Sequence, residues 1–241
     1  MPRKPLTAAV LMLALALSGC TSTPPATPRT TPTALETIAP TGDGTLIIGT
    51  LFPMTGDNAV SGAAQVAGTE LALRDILAEP VALTEPVTPT RPIALVHRNS
   101  AGDLAAAYAD LIARGVDLVL WDATTALPTD AESSVGSAAL VALGDFANGG
   151  TPLAADETLT ARLKTADPTL TSTSGGAEAY DGVITAALAA VITGDDGGPS
   201  LEAGSVQVIA GSAVCMSWGE CLLAISEKQV IDYQGVTGDR S

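Results

Sequence analysis

From Thr45 onward, apolar residues alternate between short unbroken runs and longer stretches with helical spacing. Leu46-Ile47-Ile48-Gly49-Thr50-Leu51 is one such run, broken by Pro53 and Gly56, and it predicts a buried strand. Val60, Ala64, Ala67 and Leu71 then recur at three- and four-residue intervals, which predicts an amphipathic helix over 59–77. The segment from Glu79 to Pro92 carries four prolines and reads as a loop, because proline removes the backbone donor that helix and sheet both need. Ile93 to Val96 is a second apolar run. Gly102 to Arg114 puts Leu104, Ala107, Tyr108 and Leu111 on one helical face, and Gly115 ends it. Val116 to Trp121 and Ala138 to Leu143 predict a third and a fourth strand, with a short helix at Ala131 to Gly136 between them.

Past Gly150 the pattern changes. Glu157 to Thr165 predicts a short polar helix and Glu178 to Val191 a strongly apolar, buried one. Leu201 to Ile209 fits helix and strand equally. Ser217 to Ser226 predicts a helix, and Ile231 to Gly238 a polar tail. There is no internal repeat. Strands that are apolar throughout, alternating with helices, predict an α/β fold: three layers, with a mostly parallel sheet flanked by helices. Ligand sites in such sheets lie beyond the carboxyl ends of the strands, here the loops after Leu51, Val96, Trp121 and Leu143.

The first 44 residues carry a different pattern. Arg3 and Lys4 precede an apolar stretch from Ala8 to Leu17, which is too short to span a bilayer as a mature helix; Ser18, Gly19 and Cys20 follow. Residues 1–19 therefore read as a secretory signal peptide. Leu17-Ser18-Gly19-Cys20 resembles a bacterial lipobox, which implies cleavage before Cys20, lipidation of its thiol and anchoring on the outer side of the cell membrane. Residues 20–44 read as the lipidated cysteine and a Thr/Pro-rich extended tether, and residues 45–241 as one globular domain.

Charge narrows the partners. The chain has 11 basic and 26 acidic residues, and removal of Arg3 and Lys4 leaves a mature chain of −17. Such a surface favours solubility and argues against nucleic acid, whose phosphates need a basic patch. With Cys20 committed to lipid, Cys215 and Cys221 remain, read as a disulfide in an oxidising compartment or as two free buried thiols. Ser217-Trp218-Gly219-Glu220 forms a capping box, and the chain reversal there lets the two cysteines approach. A metal site needs more ligands than this pair supplies, and the single histidine, His97, is remote from it. No cofactor is implied.

The globular chain resembles the branched-chain amino-acid-binding family of periplasmic solute-binding proteins of ABC transporters. The resemblance is carried by four segments in order: the opening strand with Pro53, Thr55 and Gly56 in a Pro-x-Thr-Gly turn; the strand-helix-strand unit over 93–125; Glu178-Ala179-Tyr180-Asp181; and Cys215 to Gly238. It implies a single lobe of a periplasmic-binding-protein-like fold. The stretch that would build a second lobe is missing near 147–158. It also implies that hydroxyls and backbone N–H groups hold a ligand carboxylate at Thr55, at Ala123, Thr124 and Thr125 after the third strand, and at Ala147 and Asn148 after the fourth. Asp122 and Asp145 stand where that family has uncharged residues, Trp121 where it often has glycine, and Gly149 lacks the family's frequent hydroxyl.

Two functional classes follow. One is a lipid-anchored binding module for a small polar ligand, an amino acid or amide, working with an ABC permease; the acidic loops favour a cationic ligand. The other is an interaction lipoprotein with a protein partner, or a relic of such a module. An enzyme is not expected, since there is no Gly-x-Ser-x-Gly, Ser-x-x-Lys, His-Glu-x-x-His or phosphate loop. His97, near a strand end, reads first as structural and second as a general base. Tyr180 and Asp181 read as anchors of a buried helix, and Trp218 as packing beside the two cysteines.

Overall fold

A computed structural model describes residues 38–78, 91–122, 124, 126–131, 137–147 and 155–238. The chain is an α/β fold built on a four-stranded parallel sheet. Its strands are β1 (Leu46–Phe52), β2 (Ile93–Asn99), β3 (Leu118–Trp121) and β4 (Ala139–Ala142), in the order β2-β1-β3-β4. The first two helices are α1 (Ala59–Ala78) and α2 (Leu104–Ala113). Then come α3 (Glu157–Ala166), α4 (Gly176–Thr193), α5 (Gly198–Val208) and α6 (Trp218–Ser226). A small separate sheet pairs β5 (Ala213–Cys215) with β6 (Ile231–Tyr233) in parallel.

The sheet is covered on both faces because its strands are apolar on both. Leu46, Ile48 and Phe52 of β1 point into a core shared with α1 and α4, where Leu71, Val183, Ile184 and Leu188 are buried. Leu51 and Val119 point to the other face, against Tyr108 and Leu111 of α2. Gly49 lies on that second face, where a Cβ would stand 3.1 Å from side-chain atoms of Leu111 and Val116. Helix α4 is enclosed along nearly its whole length, with every residue from Gly176 to Val191 buried. It crosses α1 closely at Gly68, where a Cβ would come 2.2 Å from the Gly176 carbonyl oxygen.

Local signals explain most boundaries. Asp103 caps α2 by accepting from Ala106 N at 3.0 Å, and Asp156 caps α3 by accepting from Leu159 N at 2.6 Å. Gly115 follows α2 with φ of 68°, the left-handed turn that closes such helices. The capping box is present in modified form. Ser217 accepts from Glu220 N, while the Glu220 carboxylate accepts from Met216 N, one residue earlier than the usual reciprocal bond.

Three expectations need correction, and one open choice is resolved. The second strand runs on to Asn99, so His97 lies within it, opposite Thr50, and not at its end. The fourth ends at Ala142 and gives way to a 3-10 turn over Leu143–Phe146. The ambiguous segment is helical, opening at Gly198 with Pro199 in its first turn. The polar tail contains a fully buried strand, β6, since pairing with β5 and the burial of Tyr233 outweigh its polar composition. The prolyl loop over 79–90 and most of the short helix expected at 131–136 lie outside the described residues. No described helix is long and apolar enough to cross a membrane.

Candidate functional site

The strand order fixes where a ligand crevice can open. The chain leaves β1 toward β2 on one side, and β3 lies on the other, so the switch point falls between the carboxyl ends of β1 and β3. The loops there are tied to the sheet by their backbones. Ser100 N donates to Phe52 O at 2.9 Å, and Asp122 N donates to Leu51 O at 3.1 Å.

Thr55 sits at this end, and its hydroxyl is engaged within the loops. It accepts from Asn99 Nδ2 at 2.8 Å and donates to Ala101 O at 3.2 Å. Asn99 is the organiser: its Oδ1 accepts from Met54 N at 2.9 Å and from Ala101 N at 3.1 Å. One amide side chain thus locks the β1–α1 loop to the β2–α2 loop. The sequence reading missed it, although an asparagine just before Ser-Ala-Gly is a turn signal.

Thr124 is exposed, and its backbone N donates to Asp122 Oδ1 at 2.7 Å. Asp122 is buried at 5% exposure, and its second oxygen accepts from Gln65 Nε2 at 2.9 Å. This carboxylate is therefore turned inward, bracing the β3 loop against α1. Gln65, 4% exposed, is a second residue the sequence reading missed; its only signal was an amide amid small apolar residues on the inner face of α1. Ala147 is buried at the end of the 3-10 turn. Ala123, Thr125, Asn148 and Cys20 lie outside the described residues. Thr55 and Thr124 are thus at the same end of the sheet, at the ends of the two strands that flank the switch point.

Cys215 and Cys221 form a disulfide with Cα atoms 5.2 Å apart. Trp218 is buried in the same cluster, between the two cysteines in sequence.

Two further polar clusters lie away from these loops. Thr50 Oγ1 lies 2.8 Å from His97 Nδ1, and His97 Nε2 lies 3.1 Å from Glu70 Oε1. The order hydroxyl, imidazole, carboxylate is that of a hydrolytic triad. Thr50, however, is wholly buried in the middle of β1, so no substrate carbon can reach its oxygen. Tyr180 donates to Asp75 at 2.6 Å, and Arg162 pairs with the same carboxylate while lying over the Tyr180 ring. Burial, reinforced by the adjacent Asp75 carboxylate, pushes the Tyr180 hydroxyl well above its ordinary range and keeps it neutral. That trio joins α1, α3 and α4 as a structural brace. Among the described residues no three His, Cys, Asp or Glu side chains are grouped to share a metal ion.

A cavity of about 430 Å³ opens along the outer face of α1, lined by Met54, Ala59, Val66, Glu70, Arg74 and Asp167. None of Thr55, Thr124 or Ala147 lines it. The chain matches no family model, no curated protein and no solved structure.

Proposed function

We propose that this chain is an extracytoplasmic lipoprotein, anchored through Cys20, that captures a small polar ligand such as an amino acid or amide for an ABC transporter. In this reading it is a single lobe of a periplasmic-binding-protein-like fold, with the ligand held at the carboxyl ends of β1 and β3. The observation that carries the reading is the switch point of the β2-β1-β3-β4 sheet, with Thr55 and Thr124 on its two flanking loops. Thr124 is exposed beside a braced backbone turn, which is how a preformed polar contact is presented to a solute. The inward turn of Asp122 supports it, because both carboxylate oxygens are occupied by Thr124 N and Gln65.

A single lobe offers an open face, so affinity should be modest, on the order of millimolar. A thermal-shift screen of the purified protein against amino acids, amides and polyamines tests this. A saturable shift that disappears in Thr124→Ala supports capture at this loop. A flat screen with folded protein removes it. Mass spectrometry of the mature N-terminus, with Cys20→Ser as control, tests the anchor.

The second reading is an interaction lipoprotein. Val206, Val214 and Val230 are 59–66% exposed on α5, β5 and the turn before β6, apolar side chains that a protein partner would cover.

A further inference from the structure

Beside the sheet's β4 edge there is a second site, built from different residues. Strand β4 pairs only with β3 among the described residues, so it forms the sheet's edge there. Next to it, under α4 and α5, lies a cavity of about 260 Å³ whose lining includes Val141, Phe146, Thr185, Ser205, Val206 and Asp145. The space exists because the facing helix positions are small. Gly182 and Ala186, one turn apart on α4, and Ser205 on α5 all border it. Gly182 cannot be enlarged freely, since a Cβ would stand 3.2 Å from both Leu120 methyls.

Small residues alone make a gap, not a site. The second observation is Thr185, which lines the cavity, is 6% exposed, and has an Oγ1 with no hydrogen-bond partner. A helical threonine normally returns its hydroxyl to a carbonyl one turn back. Thr69, Thr165 and Thr193 do so, to Val66, Ala161 and Ala189, each at 2.8 Å. Thr185 does not. A buried hydroxyl left unpaired is costly, and a ligand atom that pairs with it recovers that cost. At the rim, Asp145 is exposed and has no hydrogen-bond or ion-pair partner among the described residues.

The geometry points to a small-molecule site for a compact hydroxyaryl amine: an apolar ring between Val141, Phe146 and Val206, a polar group on Thr185, and a cationic group facing Asp145. A cavity of about 150 Å³ already accepts benzene, so this one holds a ring with a short chain. The site is separate from the Thr124 loop and does not depend on the function proposed above.

The test uses three probes on the purified protein by calorimetry: tyramine, 2-phenylethylamine, which lacks the hydroxyl, and 4-ethylphenol, which lacks the amine. Tyramine should saturate, and each truncated probe should bind about fivefold to tenfold more weakly. Thr185→Val should erase the advantage of tyramine over 2-phenylethylamine, and Asp145→Asn its advantage over 4-ethylphenol. Ser205→Phe, on a half-exposed helix position, should fill the cavity and abolish all three. If that variant fails to fold, methyl resonances of Val141 and Val206 in the unaltered protein locate the ligand. Tyramine that does not saturate at millimolar concentration, or that shifts the Thr124 loop and leaves these valines unmoved, overturns the proposal.

Discussion

The Tyr233 hydroxyl donates to Asp181 Oδ1 at 2.6 Å, joining strand β6 to the second turn of helix α4 across 52 residues of chain. Asp181 also accepts from Val236 N, Thr237 N and the Thr237 hydroxyl, so one buried carboxylate holds the whole C-terminal turn. Burial pushes its carboxyl above the ordinary range, and the donors from Tyr233 and Thr237 pull the other way. Asp181→Asn places an NH2 among donors and should cost about 2–4 kcal/mol, against about 1–2 for Tyr233→Phe. Urea unfolding monitored by far-UV circular dichroism decides this; equal losses in the two variants would show that only the Tyr233 bond matters.

The α1–α4 crossing has no spare room. Gly68→Ala would drive a methyl to 2.2 Å from the Gly176 carbonyl oxygen, which is backbone and cannot rotate away. The helices would have to separate. The expected loss is about 3 kcal/mol or more, at the upper end for overpacking. Ala63→Ser, at an exposed position of the same helix, should change stability by less than about 0.5 kcal/mol. A Gly68→Ala protein with an unchanged unfolding midpoint would mean that the two helices have room to separate at Gly68 without loss.

The strands and long helices were legible because their residues carry their own signals. Leu46 to Leu51 is apolar on both faces, and α1 shows its buried stripe in Ala64, Ala67 and Leu71. What was not legible depends on partners far along the chain. Strand β6 reads as polar tail because Asp232 and Gln234 flank Tyr233, and only β5 and Asp181 give Tyr233 its burial. At the candidate site, the hydroxyls of Thr55 and Thr124 could be found by position, but the roles of Asn99 and Gln65 could not. Their value lies in which loop each amide reaches, and spacing alone does not carry that.

The disulfide closes a short loop of six residues' separation around the N-terminus of α6. Restricting the unfolded chain over a loop of this length contributes about 2 kcal/mol. Both cysteines are buried, so their sulfur atoms also fill core volume. The double variant Cys215→Ser/Cys221→Ser should lose at least that much, and reduced wild-type protein should show a similar drop in urea midpoint. If reduction leaves the midpoint unchanged, the cross-link is incidental and the packing of Trp218 carries this end of the domain.

Asp117 sets a pH dependence of unusual sign. It precedes β3 and accepts from Ile47 N at 2.8 Å. Burial, with Asp196, Asp43 and Asp195 nearby, pushes its carboxyl up to about 6, and the Ile47 bond only partly opposes this. The folded value lies above the unfolded value near 3.9, so the folded protein takes up the proton first. Its contribution to stability is therefore fully present below about pH 4 and is lost as pH rises through 6. The side chain is partly exposed, so solvent screening limits the gain between pH 7 and 5 to at most about 1 kcal/mol. Asp195 acts oppositely: hydrogen bonds from Ser200, Thr41, Gly42 and Gly197 outweigh burial and lower its value, so its contribution is lost at strongly acidic pH. The clean measurement is the difference in unfolding free energy between wild type and Asp117→Asn at pH 7 and at pH 5. Wild type should gain on the variant as the pH falls. Parallel profiles would place Asp117 in a wetter, less acidic setting than its neighbours imply.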